Sequence, residues 1–154
     1  MTNENPHSTT PRPLNQRAII YGVMIEIAGT TLVSIAMSGL TRQVLGGRGM
    51  DEAQIKEFFQ NQFENIPFML AGLVPGFLVA GLAGYVAAKV ADQLEYWHAL
   101  IVVLMVAVIF YGPTLTRAPV WFSALSLVGI LVSAMLGAGL SKRHKGSLTS
   151  LEKK

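Results

Sequence analysis

The sequence contains no cysteine, and only 14% of its 154 residues are charged. The lack of cysteine excludes disulfide bonds, thiolate metal sites and lipid-modified thiols. Half of the residues (51%) are hydrophobic and the mean hydropathy is +0.45, a balance typical of an integral membrane protein rather than a soluble domain. The net charge is only +3, without a basic patch that contains aromatic residues, so nucleic-acid binding is not expected.

The sequence also lacks the motifs that carry catalysis. It has no nucleophile–base pair, no phosphate-binding loop, and no group of His or carboxylate side chains with metal-ligand spacing. We therefore expect no enzyme activity, no cofactor and no bound metal.

Four apolar runs are present, each long enough to cross a bilayer as a helix, at about residues 18–40, 67–90, 97–115 and 120–140. They predict an all-α membrane protein with four transmembrane helices. Residues 1–17 are polar and contain three prolines, which predicts a disordered tail, and residues 141–154 form a basic tail.

Residues 41–66 form the longest polar connection between apolar runs. Asp51 and Gln54 have the spacing of a capping box at a helix N-terminus. Apolar side chains then follow at helical spacing, at Ile55, Phe58, Phe59, Phe63 and Ile66. This pattern predicts a short amphipathic helix over 51–66, which either covers the end of the bundle or acts as a lid or partner-docking helix.

The distribution of lysine and arginine predicts the orientation in the membrane. An even number of spans puts both termini on one side of the membrane. The positive residues on that side are Arg12, Arg17, Lys89, Lys142, Arg143, Lys145, Lys153 and Lys154. The opposite side has Arg42, Arg48, Lys56 and Arg117. Because cytoplasmic segments carry the excess of positive residues, both termini are predicted to be cytoplasmic and the 41–66 connection external.

Small residues recur at every fourth position in the second and fourth apolar runs. They are Gly72, Gly76, Ala80, Gly84 and Ala88 in the second run, and Gly129, Ser133 and Gly137 in the fourth. Such stripes let helix backbones approach closely, which matters in lipid because no hydrophobic effect drives helices together there. They predict helix packing, and either self-association or docking to another membrane protein.

One side chain in the first run is poorly soluble in lipid: Glu26. A carboxylate at membrane depth costs roughly 2.5–3.5 kcal/mol on insertion scales, so it usually faces protein or water. Counting about 1.5 Å of rise per residue places Thr30, Tyr85 and Ser133 near the same depth. These four residues form the candidate proton- or cation-binding site. Glu26 either forms hydrogen bonds across the helices or exchanges protons and binds a cation.

The segment Glu26-Ile27-Ala28-Gly29-Thr30-Thr31-Leu32 resembles the first span of the small multidrug resistance transporters. Those proteins have four spans and work as antiparallel dimers, and their first-span glutamate binds either protons or a cationic drug. The resemblance implies that Glu26 is the coupling carboxylate and that Thr30 lines the site.

A second segment, Gly84-Tyr85-Val86-Ala87-Ala88-Lys89, is followed by a polar turn and a histidine at the next run. It resembles small uncharacterised bacterial four-span membrane proteins, and this resemblance does not point to any particular activity. We therefore expect a non-catalytic inner-membrane protein that self-associates or docks to a membrane partner. The alternative is a proton-coupled exporter of small cationic compounds that uses Glu26.

The predicted topology can be tested with reporter fusions at Arg48 and at Lys154. The two fusions should give opposite signals, because the first lies in the external connection and the second in the cytoplasm. The same signal from both positions would contradict the four-span topology.

Overall fold

The computed structural model describes residues 14–91, 93–111 and 117–151, without the side chains of 110, 111 and 146–151. Within these ranges the chain is all-α. It forms five α-helices: α1 (Gln16–Gly47), α2 (Glu52–Gln60), α3 (Ile66–Val90), α4 (Glu95–Val106) and α5 (Val120–Leu151). A 3₁₀ turn, Gln62–Glu64, precedes α3, and a π-helical turn, Ala107–Tyr111, continues α4. Most of the predicted disordered tail (1–13) lies outside the described residues, as do 152–154 of the basic tail.

Three helical segments are long and apolar enough to cross a membrane: Gln16–Gly47, Ile66–Val90 and Val120–Lys145. A shorter apolar helix covers Glu95–Ile109. The protein is therefore all-helical and compatible with a multi-pass membrane protein, as the hydropathy of the sequence indicates.

Two helices extend beyond the predicted ends of their apolar runs. The first run was expected to end at residue 40, whereas α1 continues to Gly47. It stops there because Gly49 takes a positive φ of 84°. The Gly49 N–H then donates to Gly46 O and the Met50 N–H to Leu45 O, a Schellman motif that satisfies the last carbonyls. Similarly, α5 continues past the predicted end at residue 140 to Leu151.

The connection after α1 contains the predicted capping box. The Gln54 N–H donates to Asp51 Oδ1 at 2.8 Å, and the Asp51 N–H donates to Gln54 Oε1 at 3.0 Å. The helix that begins there is shorter than the expected 51–66, because α2 ends at Gln60 and Asn65 caps α3 by accepting from the Phe68 N–H. A helix end therefore interrupts the apolar pattern that runs through this connection.

The start of α1 and the last part of α5 both lie at one end of the bundle, which we call the termini end. There the Asn15 N–H donates to His98 Nε2 at 2.9 Å, and Asn15 Nδ2 donates to Val90 O at 3.2 Å. Lys145 Nζ donates to Ala88 O at 2.8 Å and lies 3.8 Å from Glu95 Oε1. These contacts join the start of α1, the end of α3, the start of α4 and the last part of α5.

The opposite end, which we call the loop end, contains α2 and the 3₁₀ turn. Phe58 packs edge-on against Phe68 with 5.3 Å between ring centroids, and the rings of Phe63 and Phe122 are 6.5 Å apart. The long helices α1, α3, α4 and α5 therefore alternate in direction between the two ends.

Close contact between the backbones of α3 and α5 holds the termini half of the bundle together. A Cβ on Gly84 would lie 2.7 Å from Ala134 Cα, and a Cβ on Gly137 would overlap the carbonyl of Gly81. At the loop half of α3, by contrast, a Cβ on Gly72 or Gly76 would meet no atom within 4 Å. The predicted small-residue stripe of α3 thus packs against another helix of the same chain over only part of its length.

This difference predicts opposite effects for two alanine substitutions in α3. Gly84→Ala should destabilise the bundle by about 1–3 kcal/mol, since the backbones must move apart. Gly72→Ala should be neutral or stabilising by up to about 1 kcal/mol, because it meets open space and lowers the entropy of the unfolded chain. Thermal unfolding in detergent, followed by helical circular dichroism, measures both. Equal unfolding temperatures would contradict the close contact at Gly84.

Candidate functional site

A cavity of about 410 Å³ lies between α1, α3, α4 and α5 and extends from Glu26 to the loop end; we call it the Glu26 cavity. Its wall is mostly apolar and includes four phenylalanine rings, those of Phe63, Phe68, Phe77 and Phe122. The polar residues that line it are Glu26, Thr30, Ser34, Ser38, Gln62, Ser123 and Ser126.

Glu26 reaches this cavity because of the helix face on which it lies. The buried residues of α1 are Ala18, Gly22 and Glu26, spaced by four, so they form one stripe that faces the bundle. Gly22 allows the close approach: a Cβ there would lie 3.0 Å from Ala87 Cβ and 2.6 Å from a methyl group of Val102. One turn beyond this contact, Glu26 is 4% exposed.

The carboxyl group of Glu26 is incompletely paired. Its Oε2 atom is buried and has no hydrogen-bond partner among the described residues, and the same holds for Ser126 Oγ on α5. Ser126 is 1% exposed and lines the same cavity. Because buried polar groups are ordinarily paired, two unpaired oxygens on one cavity indicate where the polar part of a ligand would bind.

The charge and the aromatic content of the cavity favour a positively charged ligand. The described residues that line it include no lysine, arginine or histidine, so Glu26 is the charged group they contribute. Aromatic rings attract cations through their faces, and four rings line the same cavity as this carboxyl group, so the cavity suits an organic cation. Among the described residues, no group of three or more His, Asp or Glu side chains could hold a metal ion.

Two of the four residues predicted for the site line the cavity and two do not. Glu26 and Thr30 share it. Tyr85 lies towards the termini end, where its hydroxyl is 3.5 Å from His144 Nδ1 and Lys89 Nζ is 5.9 Å from its ring centroid. The backbone carbonyl of Ser133 lies 3.5 Å from where a Cβ on Gly81 would be, at the contact between α3 and α5.

Ser126 contributes the buried hydroxyl that was expected from Ser133. The two serines are seven residues apart, so they lie on nearly the same face of α5, with Ser126 about 10 Å closer to the loop end. Next to Ser133, the backbone of Ala134 lies against Gly84 of α3, so the two helices are in close contact there. The sequence shows that Ser126 shares a helix face with Ser133, but it does not show where along the helix the cavity lies.

No family model matches the chain, and neither curated proteins nor solved structures give a match. The function is therefore argued from the chemistry of the Glu26 cavity.

A stability measurement separates a structural role of Glu26 from a ligand-binding role. Because Oε2 is buried without a partner, Glu26→Leu should stabilise the bundle, by about 1–3 kcal/mol. A loss of stability would instead indicate that the carboxyl group supports the fold by hydrogen bonding across the helices. Met69→Leu, at a buried apolar residue of the same cavity, is the control and should change stability by less than about 1.5 kcal/mol. Thermal unfolding in detergent measures both variants.

Proposed function

We propose that the protein spans the bacterial inner membrane four times, with both termini in the cytoplasm. In addition to the three long helices, the third span in chain order is α4 with its π-helical turn, Glu95–Tyr111, which is roughly 25 Å long and approaches the ~30 Å thickness of the hydrocarbon core. The proposal is supported by the positive residues at the termini end, which include Arg17, Lys89 and Lys142.

Within this membrane protein, the Glu26 cavity binds a small lipophilic cation in exchange for a proton. The observation that carries this proposal is the buried, incompletely paired carboxyl group of Glu26 on a cavity of about 410 Å³ that is lined by aromatic rings. An ionisable residue inside a membrane-spanning helix is most often functional, since its insertion cost is otherwise selected against.

The exchange keeps the charge of the site constant. When the cavity is empty, the carboxyl group of Glu26 holds a proton and is neutral. When a monovalent cation enters, the proton leaves and the carboxylate pairs with the cation, so the site is again neutral. A membrane interior disfavours net charge, and a one-for-one exchange avoids it in both states. Alternating exposure of the cavity to the two sides would couple export of the cation to entry of protons.

The competing proposal, a scaffold that associates through its small-residue faces, has less support. Gly81, Gly84 and Gly137 are already covered by helices of the same chain, and Gly129 is covered by the ring of Phe77. A covered face is not available to a partner without rearrangement of the bundle. The uncovered positions Gly72 and Gly76 line the Glu26 cavity.

The exchange is tested with purified protein in weakly buffered detergent solution, to which benzyltrimethylammonium is added as an aromatic cation that has no proton of its own. Wild type should bind it and release protons in proportion, because the cation and the proton share one carboxyl group. Glu26→Gln keeps the size of the side chain but has no proton to exchange, so it should lose proton release and bind at least about tenfold more weakly.

Tyr85→Phe is the matched control. It removes a hydroxyl outside the cavity and should leave both binding and release unchanged. Absence of proton release from wild type, or equal release from Glu26→Gln, would contradict the exchange.

A further inference from the structure

A second hollow, of about 840 Å³, lies at the loop end; we call it the loop-end groove. It is formed by the last turns of α1, by α2 and the 3₁₀ turn, and by residues that precede α5. Ser38, Gln62 and Phe63 line both this groove and the Glu26 cavity, so the two spaces are neighbours with a common wall.

The groove concentrates positive charge. Three cations from three different segments line it, namely Arg42, Lys56 and Arg117, whereas Glu64 is the one carboxylate among its described lining residues. Arg42 is held in place, because its guanidinium lies 5.5 Å from the centroid of the Phe59 ring and 3.6 Å from Glu52. Within the described part of the chain, neither Lys56 nor Arg117 lies within 4 Å of a carboxylate.

Positive side chains that converge on one hollow repel each other, and an anion bound between them would offset that repulsion. The other polar groups of the groove are suited to an oxygen-rich anion. The hydroxyl of Ser38 and the side-chain amides of Gln60, Asn61 and Gln62 all supply hydrogen-bond donors. Arginine adds a planar pair of N–H groups that matches two oxygens of a phosphate.

The position of the groove along α1 also suits a phosphate. Ser38 and Arg42 are 12 and 16 residues beyond Glu26, or about 18 and 24 Å along the helix axis. The groove therefore lies where a helix leaves the hydrocarbon core and meets the layer of lipid headgroups. A phosphate in the groove would have the apolar wall of the Glu26 cavity beside it, so a lipid could place a hydrocarbon chain there.

We propose that the loop-end groove binds a phosphate group through Arg42, Lys56 and Arg117. The phosphate belongs either to a lipid headgroup or to a soluble phosphate ester. The site is distinct from the proposed cation exchange, because its charged residues are different and carry the opposite charge.

Binding is measured by isothermal titration of the detergent-solubilised protein with two probes, short-chain phosphatidic acid and glycerol 3-phosphate. The test variant is Lys56→Gln/Arg117→Gln, which leaves Arg42 and its contacts intact. Each cation near a phosphate contributes about a fivefold change in affinity, so the double variant should bind about 25-fold more weakly. Raised salt should weaken binding by wild type.

Arg48→Gln is the matched control, since Arg48 is a cation at the same end that does not line the groove. It should bind as wild type does, and so should Glu26→Gln, even if cation exchange fails. Binding of phosphatidic acid alone identifies a lipid headgroup, whereas equal binding of both probes identifies recognition of the phosphate itself. The proposal is overturned if wild type binds neither probe, or if Arg48→Gln weakens binding as much as the folded double variant does.

Discussion

The contact between α3 and α5 is the constraint on which the rest of the bundle depends. Gly84 lies against Ala134, and Gly137 against Gly81, so the two backbones touch in the termini half of the protein. Towards the loop end, small residues continue on α3 at Gly76, but larger side chains, such as Phe77 against Gly129, lie between the helices. The helices therefore close at one end and leave a cavity at the other, and this asymmetry sets the depth of the candidate site.

The same constraint explains how a buried carboxyl group is tolerated. A second glycine contact, Gly22 against Ala87 and Val102, holds α1 to the closed half of the bundle, and Glu26 lies one turn beyond it. The packing of this half does not require Glu26, because its core consists of alanine and valine side chains. The stability of the closed half thus offsets the free-energy cost of leaving Glu26 incompletely paired. A buried group that lowers stability in this way is typical of residues kept for function rather than for stability.

The sequence predicts the elements of this structure better than their relative positions. Apolar length predicts the long helices, and the capping box at Asp51 and Gln54 is confirmed atom by atom, because both signals are local. Depth counting groups Thr30 with Glu26, and both line the cavity, since they lie one turn apart on the same helix. It fails to place Tyr85 and Ser133 at the cavity, because the open space between helices depends on where their backbones touch. That contact depends on only a few of the glycines, and the periodicity of the sequence does not distinguish these from the glycines that make no contact.

The two proposed sites carry opposite charges and are neighbours, which limits how they can influence each other. The cations of the loop-end groove raise the electrostatic potential along the Glu26 cavity, and low-dielectric walls let such a field persist. A proton and a monovalent cation carry the same charge, so this potential changes both binding free energies nearly equally. The two changes therefore cancel when the cation replaces the proton. Access would not cancel for a cation that enters from the loop end, since it would pass the positive groove. A phosphate bound there would lower that barrier, so occupancy of the groove would change the rate of exchange and leave its equilibrium almost unaltered.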